Sequence, residues 1–530
     1  MIERDAIPLV VGVTGHRNIR ARDRDTLYAA VAGELARLQS RCPHSQLILL
    51  NSLAEGADLL CAQAAADLGI PLMAALPMEQ EAYERDFSPE ALLRFRALCA
   101  GAEQTFVTPP AEPLPPAPDR DFFYRQAGIY VAAHAHVLLA LWDGDEASPS
   151  PCGTAQTVRF MLRGDFDPAD AVPLPGFGAV LHIHAPTREN DPVPAGQVRF
   201  LGEEAAFWEA LDRTDEFNAL AAGVRAESPS LLPRDREKDP WLDGMEALYR
   251  KADALSLRYA GVYRRILGGL AVLSTLITFA FLLYDEAEWH GMILLCGLFL
   301  LGAWAVQRLG DRTASHRRYL EYRTLAEAMR VQAFLRYAGS QTKIQRILPW
   351  SQKTETGWVA GALKACALGM PPYGAHSVRD SWVEQQRQYH LEAKAKSART
   401  LKGSDRVVSW ALGLSILVYG AVLVFEFVWG DLNPFSGQIP DAERYRTISK
   451  LLLGGISAAT LFISNYYGRL SLSRVRADHE KMARFYEAVA ARMDRFGESE
   501  ALLCLLAREE LVENGNWCAY QRENGADFTL

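Results

Sequence analysis

Leu9-Val10-Val11-Gly12-Val13-Thr14-Gly15-His16-Arg17-Asn18 is the stretch that decides the fold. A branched apolar run of this kind reads as a strand buried on both faces, as in a parallel sheet. It ends in a turn carrying Gly12 and Gly15. A helical pattern follows, with Leu27, Val31, Leu35 and Leu38 on one face. Strand, glycine turn and helix N-terminus together suit an anion. Backbone N–H groups point outward there, and the helix dipole favours negative charge. Arg17 adds a fixed cation whose fork matches phosphate. The turn is therefore expected to bind a nucleotide-like ligand.

The same alternation continues outward from this unit. Strand-like runs recur at 47–50, 70–76, 105–107, 136–141 and 180–184, with helical stretches between most of them. Regular alternation predicts an α/β fold with a doubly wound, Rossmann-like parallel sheet. In such sheets ligands sit beyond the carboxyl ends of the strands. Three glycine-bearing turns fall at such ends. The first holds Gly12, Thr14, Gly15, His16 and Arg17. The second holds Ser52, Glu55, Gly56, Ala57 and Asp58. The third holds Asp143, Gly144, Gly153 and Thr154. One such turn alone is an ordinary strand-to-helix connection. Three in one sheet, one of them with Arg17, point to a phosphate site. Glu55 and Asp58 either favour a helix N-terminus or accept hydrogen bonds from ribose hydroxyls. His182 and His184 share one strand face, but no third ligand accompanies them, so no metal site is expected.

A chain of 530 residues calls for at least two domains. Its net charge of −8 argues against a dedicated binder of DNA or RNA. The eight cysteines form no CxxC pair, so neither a zinc site nor a disulfide framework is expected. No apolar signal region follows Met1, so the N-terminal domain is expected to stay in the cytoplasm.

The second half holds four apolar segments, at 266–284, 292–309, 407–429 and 451–467. Each approaches the roughly 20 residues that span a bilayer. Arg258, Arg264 and Arg265 precede the first, and Arg308, Arg312, Arg317 and Arg318 follow the second. Lys394, Lys396, Arg399, Lys402 and Arg406 precede the third, and Arg469, Arg474 and Arg476 follow the fourth. This bias is expected to put both termini on the cytoplasmic side of the membrane. Each hairpin is followed by a long arginine-bearing helix, so the membrane half reads as a duplication. Glu426 lies within the third span. It either faces protein or water, as a pore-lining or gating group would, or reaches the outer headgroups. Ser464 and Asn465 in the fourth span either partner it or join helices by hydrogen bonds. The expected division is 1–185 for the sensor, 186–265 for coupling helices, 266–310 and 407–468 for the hairpins, and 311–406 and 469–530 for cytoplasmic helices.

Thr14-Gly15-His16-Arg17, Ser52 to Asp58, Leu76-Pro77 with Tyr83, Asp86 and Phe87, Leu141 to Gly144, and Gly153-Thr154 occur in order. This set resembles the SLOG domains, relatives of the LOG and DprA-like Rossmannoid proteins. The two-hairpin layout resembles the SLATT modules that accompany them. The resemblance implies a non-enzymatic sensor for a nucleotide second messenger, such as a cyclic oligonucleotide or an ADP-ribose derivative. It implies antiphage defence of the CBASS or Thoeris type, with no catalytic residue and no resident cofactor. The ligand would switch a homo-oligomer in the lipid bilayer into a state that permeabilises the bacterial inner membrane. LOG enzymes instead cleave a nucleotide N-glycosidic bond with a glutamate shortly after the Gly-Thr. Thr157 stands at that place here, and the lead is Ser150-Pro151-Cys152. The alternative is a membrane-anchored nucleotide hydrolase of that kind.

Overall fold

The computed structural model describes residues 3–147, 152–164, 178–225, 229–233, 236, 238–287, 289–340, 342, 344–368, 376–428, 442–470 and 472–523, without the side chains of 404, 442, 465–470 and 472. Ser150, Pro151, Glu288, Trp429 and the Asn465 side chain lie outside the described residues.

Strands β1 (Leu9–Gly15), β2 (Leu47–Asn51), β3 (Leu72–Leu76), β4 (Gln104–Val107), β5 (Val137–Trp142), β6 (Val180–His184) and β7 (Val198–Leu201) form one sheet in the order β4-β3-β2-β1-β5-β6-β7. All pairs are parallel except β6 with β7. The strand β7 has no counterpart among the sequence-based expectations. It follows the proline-rich stretch after β6 and returns antiparallel along the edge.

The helices between the strands are α1 (Arg24–Arg41), α2 (Ala57–Asp67), α3 (Gln80–Tyr83), α4 (Pro89–Gly101), α5 (Arg120–His134) and α6 (Thr154–Arg163), with α7 (Glu204–Ala222) after β7. Two devices start them. Ser88 Oγ accepts the Ala91 N–H at the head of α4, and an Asp119 carboxylate oxygen accepts the Phe122 N–H at the head of α5. Leu9, Val11 and Val13 face a core built with Leu27, Val31, Leu35, Leu38 and Phe95. Val10, Ile48 and Leu50 face a second core with Ile129, Val131, Val158 and Phe160. Both sheet faces are thus covered, which is why the central strands are continuous apolar runs. Each fully buried side chain of this size contributes about 1.5–3 kcal/mol over an exposed one.

The rest of the chain is helical: α8 (Pro240–Glu286), α9 (Met292–Thr313), α10 (Ser315–Tyr337), α11 (Ile344–Ile347), α12 (Trp350–Glu355), α13 (Gly357–Cys366), α14 (Gln385–Val428), α15 (Ala442–Leu470), α16 (Leu472–Phe496) and α17 (Glu500–Glu523). Four of these helices are long and apolar enough to cross a membrane, namely α8, the helix beginning at Met292, α14 and α15. Their large apolar side chains point outward. Leu294 and Trp410 keep 79% and 80% of their surface exposed, which suits lipid and not water.

The chain divides into two compact units that are not contiguous in sequence. One comprises Met1–Leu255, Arg323–Ser377 and Ser499–Gly515. Within it, Ala365 of α13 and nearby Leu368 join the core on the Val10 face of the sheet. Arg330 of α10 pairs with Glu510 of α17 at 2.5 Å, and Arg336 pairs with Asp239 at 2.6 Å, all buried. The other unit comprises Ser256–Tyr322, Val378–Glu498 and Asn516–Leu530. There Glu426 of α14 accepts two hydrogen bonds from Arg446 of α15, at 2.7 and 2.9 Å. Lys450, one turn further along α15, donates to Glu286 of α8 at 2.7 Å. Glu426 therefore has a protein partner of opposite charge. Ser464 is exposed.

Candidate functional site

The strand order places β2 on one side of β1 and β5 on the other. The connections out of β1 and into β5 therefore diverge at this point, and their carboxyl ends frame the crevice where such sheets take ligands.

The glycines of the first turn have a different task from the one expected. Gly12 and Gly15 lie inside β1. A Cβ at Gly12 would stand 2.7 Å from Val131 Cγ1 and 2.9 Å from Ala135 Cβ, so this glycine lets α5 lie against the sheet. A Cβ at Gly15 would stand 2.9 Å from the Leu141 carbonyl oxygen and would overlap Ala57. Thr14 is half-buried in β1, in register with Ala140. The turn proper starts at His16. Helix α1 begins only at Arg24, after a short 3-10 turn at Ala21–Asp23. The helix N-terminus next to the turn is that of α2. Its Ala57 N–H already donates to the His16 carbonyl at 3.0 Å.

Gly56 locks the first two turns together. Its φ is +94°, and a Cβ there would overlap the Arg17 carbonyl and stand 2.6 Å from the His16 oxygen. The space was expected to belong to a ligand; the Arg17 backbone occupies it. Ser52 is half-buried. Asn51 braces this loop from below, donating to the Asp58 carbonyl at 2.8 Å and accepting the Leu53 N–H at 2.7 Å. Glu55 is engaged elsewhere: its two carboxylate oxygens take the Ser88 N–H and hydroxyl at 3.1 and 2.7 Å. Asp58 is buried and accepts the Ala54 N–H at 3.2 Å. Burial pushes its carboxyl up to about 7, against the pull of the Ala54 N–H and the Arg17 charge.

The Arg17 guanidinium lies 5.1 Å from the centre of the Tyr124 ring. Burial works against its charge, but Tyr124, Tyr83 and Asp86 outweigh that and hold its pKa above the ordinary arginine value. The Tyr124 hydroxyl donates to Asp86, and Arg120 pairs with the same carboxylate at 2.6 Å. Buried Tyr83 stands edge-on to Phe87 at 5.1 Å. Tyr83, Asp86 and Phe87 thus gather beside Arg17 with two residues that sequence reasoning missed, Arg120 and Tyr124. Their signal was present: an i, i+4 pair at the start of a helix shares one face.

At the end of β5, His16 Nε2 lies 3.2 Å from both the Asp143 N–H nitrogen and Asp143 Oδ1. Asp143 also accepts the Thr187 hydroxyl at 2.8 Å and the Asp145 N–H at 3.1 Å. Burial opposes the charge of this carboxylate, but those hydrogen bonds and His16 prevail and hold it below the usual range. Gly144 has φ +86° and faces His182, whose Nε2 lies 2.8 Å from the Trp142 carbonyl. Gly153 caps α6, and its carbonyl accepts the Gln156 and Thr157 N–H groups at 3.0 and 3.1 Å; Thr154 opens the helix, half-buried. The contacts that join the turns run through His16, Arg17, Gly56, Ala57 and Asp143. Thr157 is buried with its hydroxyl 2.8 Å from where a Cβ of Gly128 would stand.

Two cavities of about 620 and 260 Å³ lie at the opposite, amino-terminal edge of the sheet. The larger is lined by Leu47, Gly69, Pro71 and Asn218. Its polar wall is paired internally, with Asp215 accepting the His44 N–H and Ser45 hydroxyl at 2.8 Å each. Asn218 holds both the N–H and the carbonyl of Ile7.

The raised Asp58 pKa makes stability fall with pH. The folded protein binds this proton up to about 7, whereas an unfolded chain releases it near 3.9. The native state thus holds more protons between those values, and stability is lost as pH rises through them. Asp58→Asn is expected to flatten that slope and to stabilise the protein at pH 8, by an upper figure of about 4 kcal/mol. Thermal unfolding of both proteins from pH 5 to 8 checks it.

Comparison with models of known protein families gives no match, and no curated protein matches the chain.

Proposed function

We propose that the chain is a nucleotide-signal-gated membrane effector: a doubly wound, SLOG-like sensor joined to a SLATT-like four-span module. One observation carries the reading. His16 and Arg17 stand where β1 and β5 diverge, braced by Gly56 and Asp143, in a chain that also holds four helices able to span a bilayer. Arg17 offers a cation for phosphate, and the half-buried Tyr124 beside it offers a ring able to stack on a nucleoside. The ligand would shift subunits of a homo-oligomer between two arrangements, which requires differential affinity for them.

The test is dye leakage from liposomes holding the purified protein, titrated with cyclic dinucleotides, cyclic oligonucleotides and ADP-ribose derivatives. Leakage that starts only with one of these is the expected result, and its dependence on the Glu426–Arg446 pair is read from Glu426→Gln. Tight binding without leakage, depolarisation or a change of oligomeric state overturns the effector reading.

The hydrolase reading has one observation in its favour: a buried carboxyl near 7 beside a fixed cation, at Asp58 and Arg17, is a combination used in general acid catalysis. Chromatography of each nucleotide after incubation separates the two readings. Turnover that Asp58→Asn abolishes favours the hydrolase.

Both termini and the segment 312–406 belong on the cytoplasmic side of the inner membrane in this reading, from the lysine and arginine at those ends of the spans. A cysteine probe placed at Asp285 is expected to label from outside; protection there overturns the orientation.

A further inference from the structure

The base of the first hairpin, within the unit that holds the spans, carries a group of arginines. Helices α8 and α9 lie antiparallel there, and three contacts fix their register. A Cβ at Gly302 would stand 3.6 Å from the Leu273 side chain, one at Gly269 would stand 3.8 Å from Val306, and one at Gly310 would stand 3.5 Å from Ile266. Just beyond, the Tyr263 ring stacks on His316 of α10 at 4.4 Å. Arg264 and Arg265 of α8 therefore stand level with Arg312 of α9, and Arg308 lies about one helical turn nearer the apolar stretch.

All four side chains are on the surface. Among the described residues, no carboxylate lies within ion-pair distance of any of them, Asp311 at the same level included. Arg264 donates to the Ala260 carbonyl of its own helix at 3.2 Å, which leaves its charge uncompensated. The next arginines along the chain are engaged inside the protein: Arg317 pairs with Glu321 at 3.0 Å, and Arg318 donates to the Tyr259 hydroxyl at 3.1 Å. Four cations thus gather at one level against a single carboxylate.

This charge adjoins an apolar wall. Leu301, Trp304 and Leu309 of α9 are each more than half exposed, and the Arg308 guanidinium lies 5.6 Å from the centre of the Trp304 ring. An outward indole beside guanidinium groups suits the headgroup level of a bilayer. A soluble anion gains nothing from such a wall. A phosphate that carries acyl chains fits both parts.

We propose that the base of the first hairpin holds an anionic phospholipid, its phosphate on Arg264, Arg265, Arg308 and Arg312 and its acyl chains along Trp304, Leu301 and Leu309. The proposal rests on the spans and not on the nucleotide reading of the sheet unit.

The experiment uses the full chain in micelles of an uncharged maltoside. Phosphatidylglycerol is titrated against phosphatidylcholine of the same acyl chains, with glycerol 3-phosphate as the free headgroup, and retained lipid is read by native mass spectrometry. Phosphatidylglycerol is expected to bind at least about tenfold more tightly than phosphatidylcholine, and to lose that margin in high salt. The double variants Arg264→Gln with Arg265→Gln, and Arg308→Gln with Arg312→Gln, are each expected to weaken phosphatidylglycerol by at least about fivefold and to leave phosphatidylcholine unchanged. The four side chains are exposed and unpaired, so an unshifted thermal transition in phosphatidylcholine checks that both variants fold. Equal retention of the two lipids by the unaltered protein overturns the proposal. So does an undiminished preference in both double variants, because the lipid would then sit elsewhere. Competition by glycerol 3-phosphate at the concentrations the lipid needs assigns the cluster to a soluble phosphate and overturns the lipid.

Discussion

Arg17→Ala is expected to weaken the signalling nucleotide by roughly 10- to 100-fold, and with it to abolish leakage at ligand concentrations that open the unaltered protein. A hydrogen bond to a charged group is worth about 1.5–3 kcal/mol, and about 1.4 kcal/mol is one factor of ten in Kd. The fold should tolerate the change. What Arg17 gives the structure is its backbone, since its carbonyl is the surface that Gly56 packs on. The side chain overlies Tyr124 at 5.1 Å, near the rim of the turn. A second readout follows from electrostatics. Arg17 pulls the Asp58 pKa down, so its removal lets that carboxyl rise further above about 7. The window over which stability falls with pH then extends upward. Calorimetry with the bound nucleotide and thermal unfolding across pH measure the two effects. Undiminished affinity removes Arg17 from the site.

Gly56→Ala is expected to destabilise the sheet unit even though it adds one methyl group. An alanine held at φ +94° costs about 1–3 kcal/mol. The overlap with the Arg17 carbonyl adds about the same again, as overpacking does. The neighbour here is backbone and cannot rotate away. The displaced turn would carry Arg17 with it, so binding and stability should fall together. Gly56→Trp cannot report on pocket space, because it dismantles the junction before any ligand arrives. A thermal transition within experimental error of the unaltered protein, with binding intact, would contradict this account.

Three glycine positions show how far sequence reasoning reached. The sequence reading placed Gly12, Gly15 and Gly56 in turns that approach a ligand; the structure brings protein atoms close to each instead. Spacing alone could not say what approaches: α5 at Gly12, Leu141 and Ala57 at Gly15, and the Arg17 backbone at Gly56. Glu55 is similar. A carboxylate before a helix invites a local reading, yet its partner is Ser88 at the head of α4, 33 residues away. Arg120 and Tyr124 were passed over because their role depends on Asp86, which reaches them only when β3 and α5 are side by side.

The sequence by itself determined the strands β1 to β6, the alternation with helices, and the four apolar spans with their arginine flanks. These follow from the period and composition of single segments, where burial on one face or both leaves a local mark. Tertiary structure decided the rest. The edge strand β7 alternates too weakly to announce itself. The pairing of Glu426 with Arg446 and the assignment of α13 to the sheet's own core both join residues distant in sequence. The free energy of such contacts depends on which surfaces meet, and no local pattern records that.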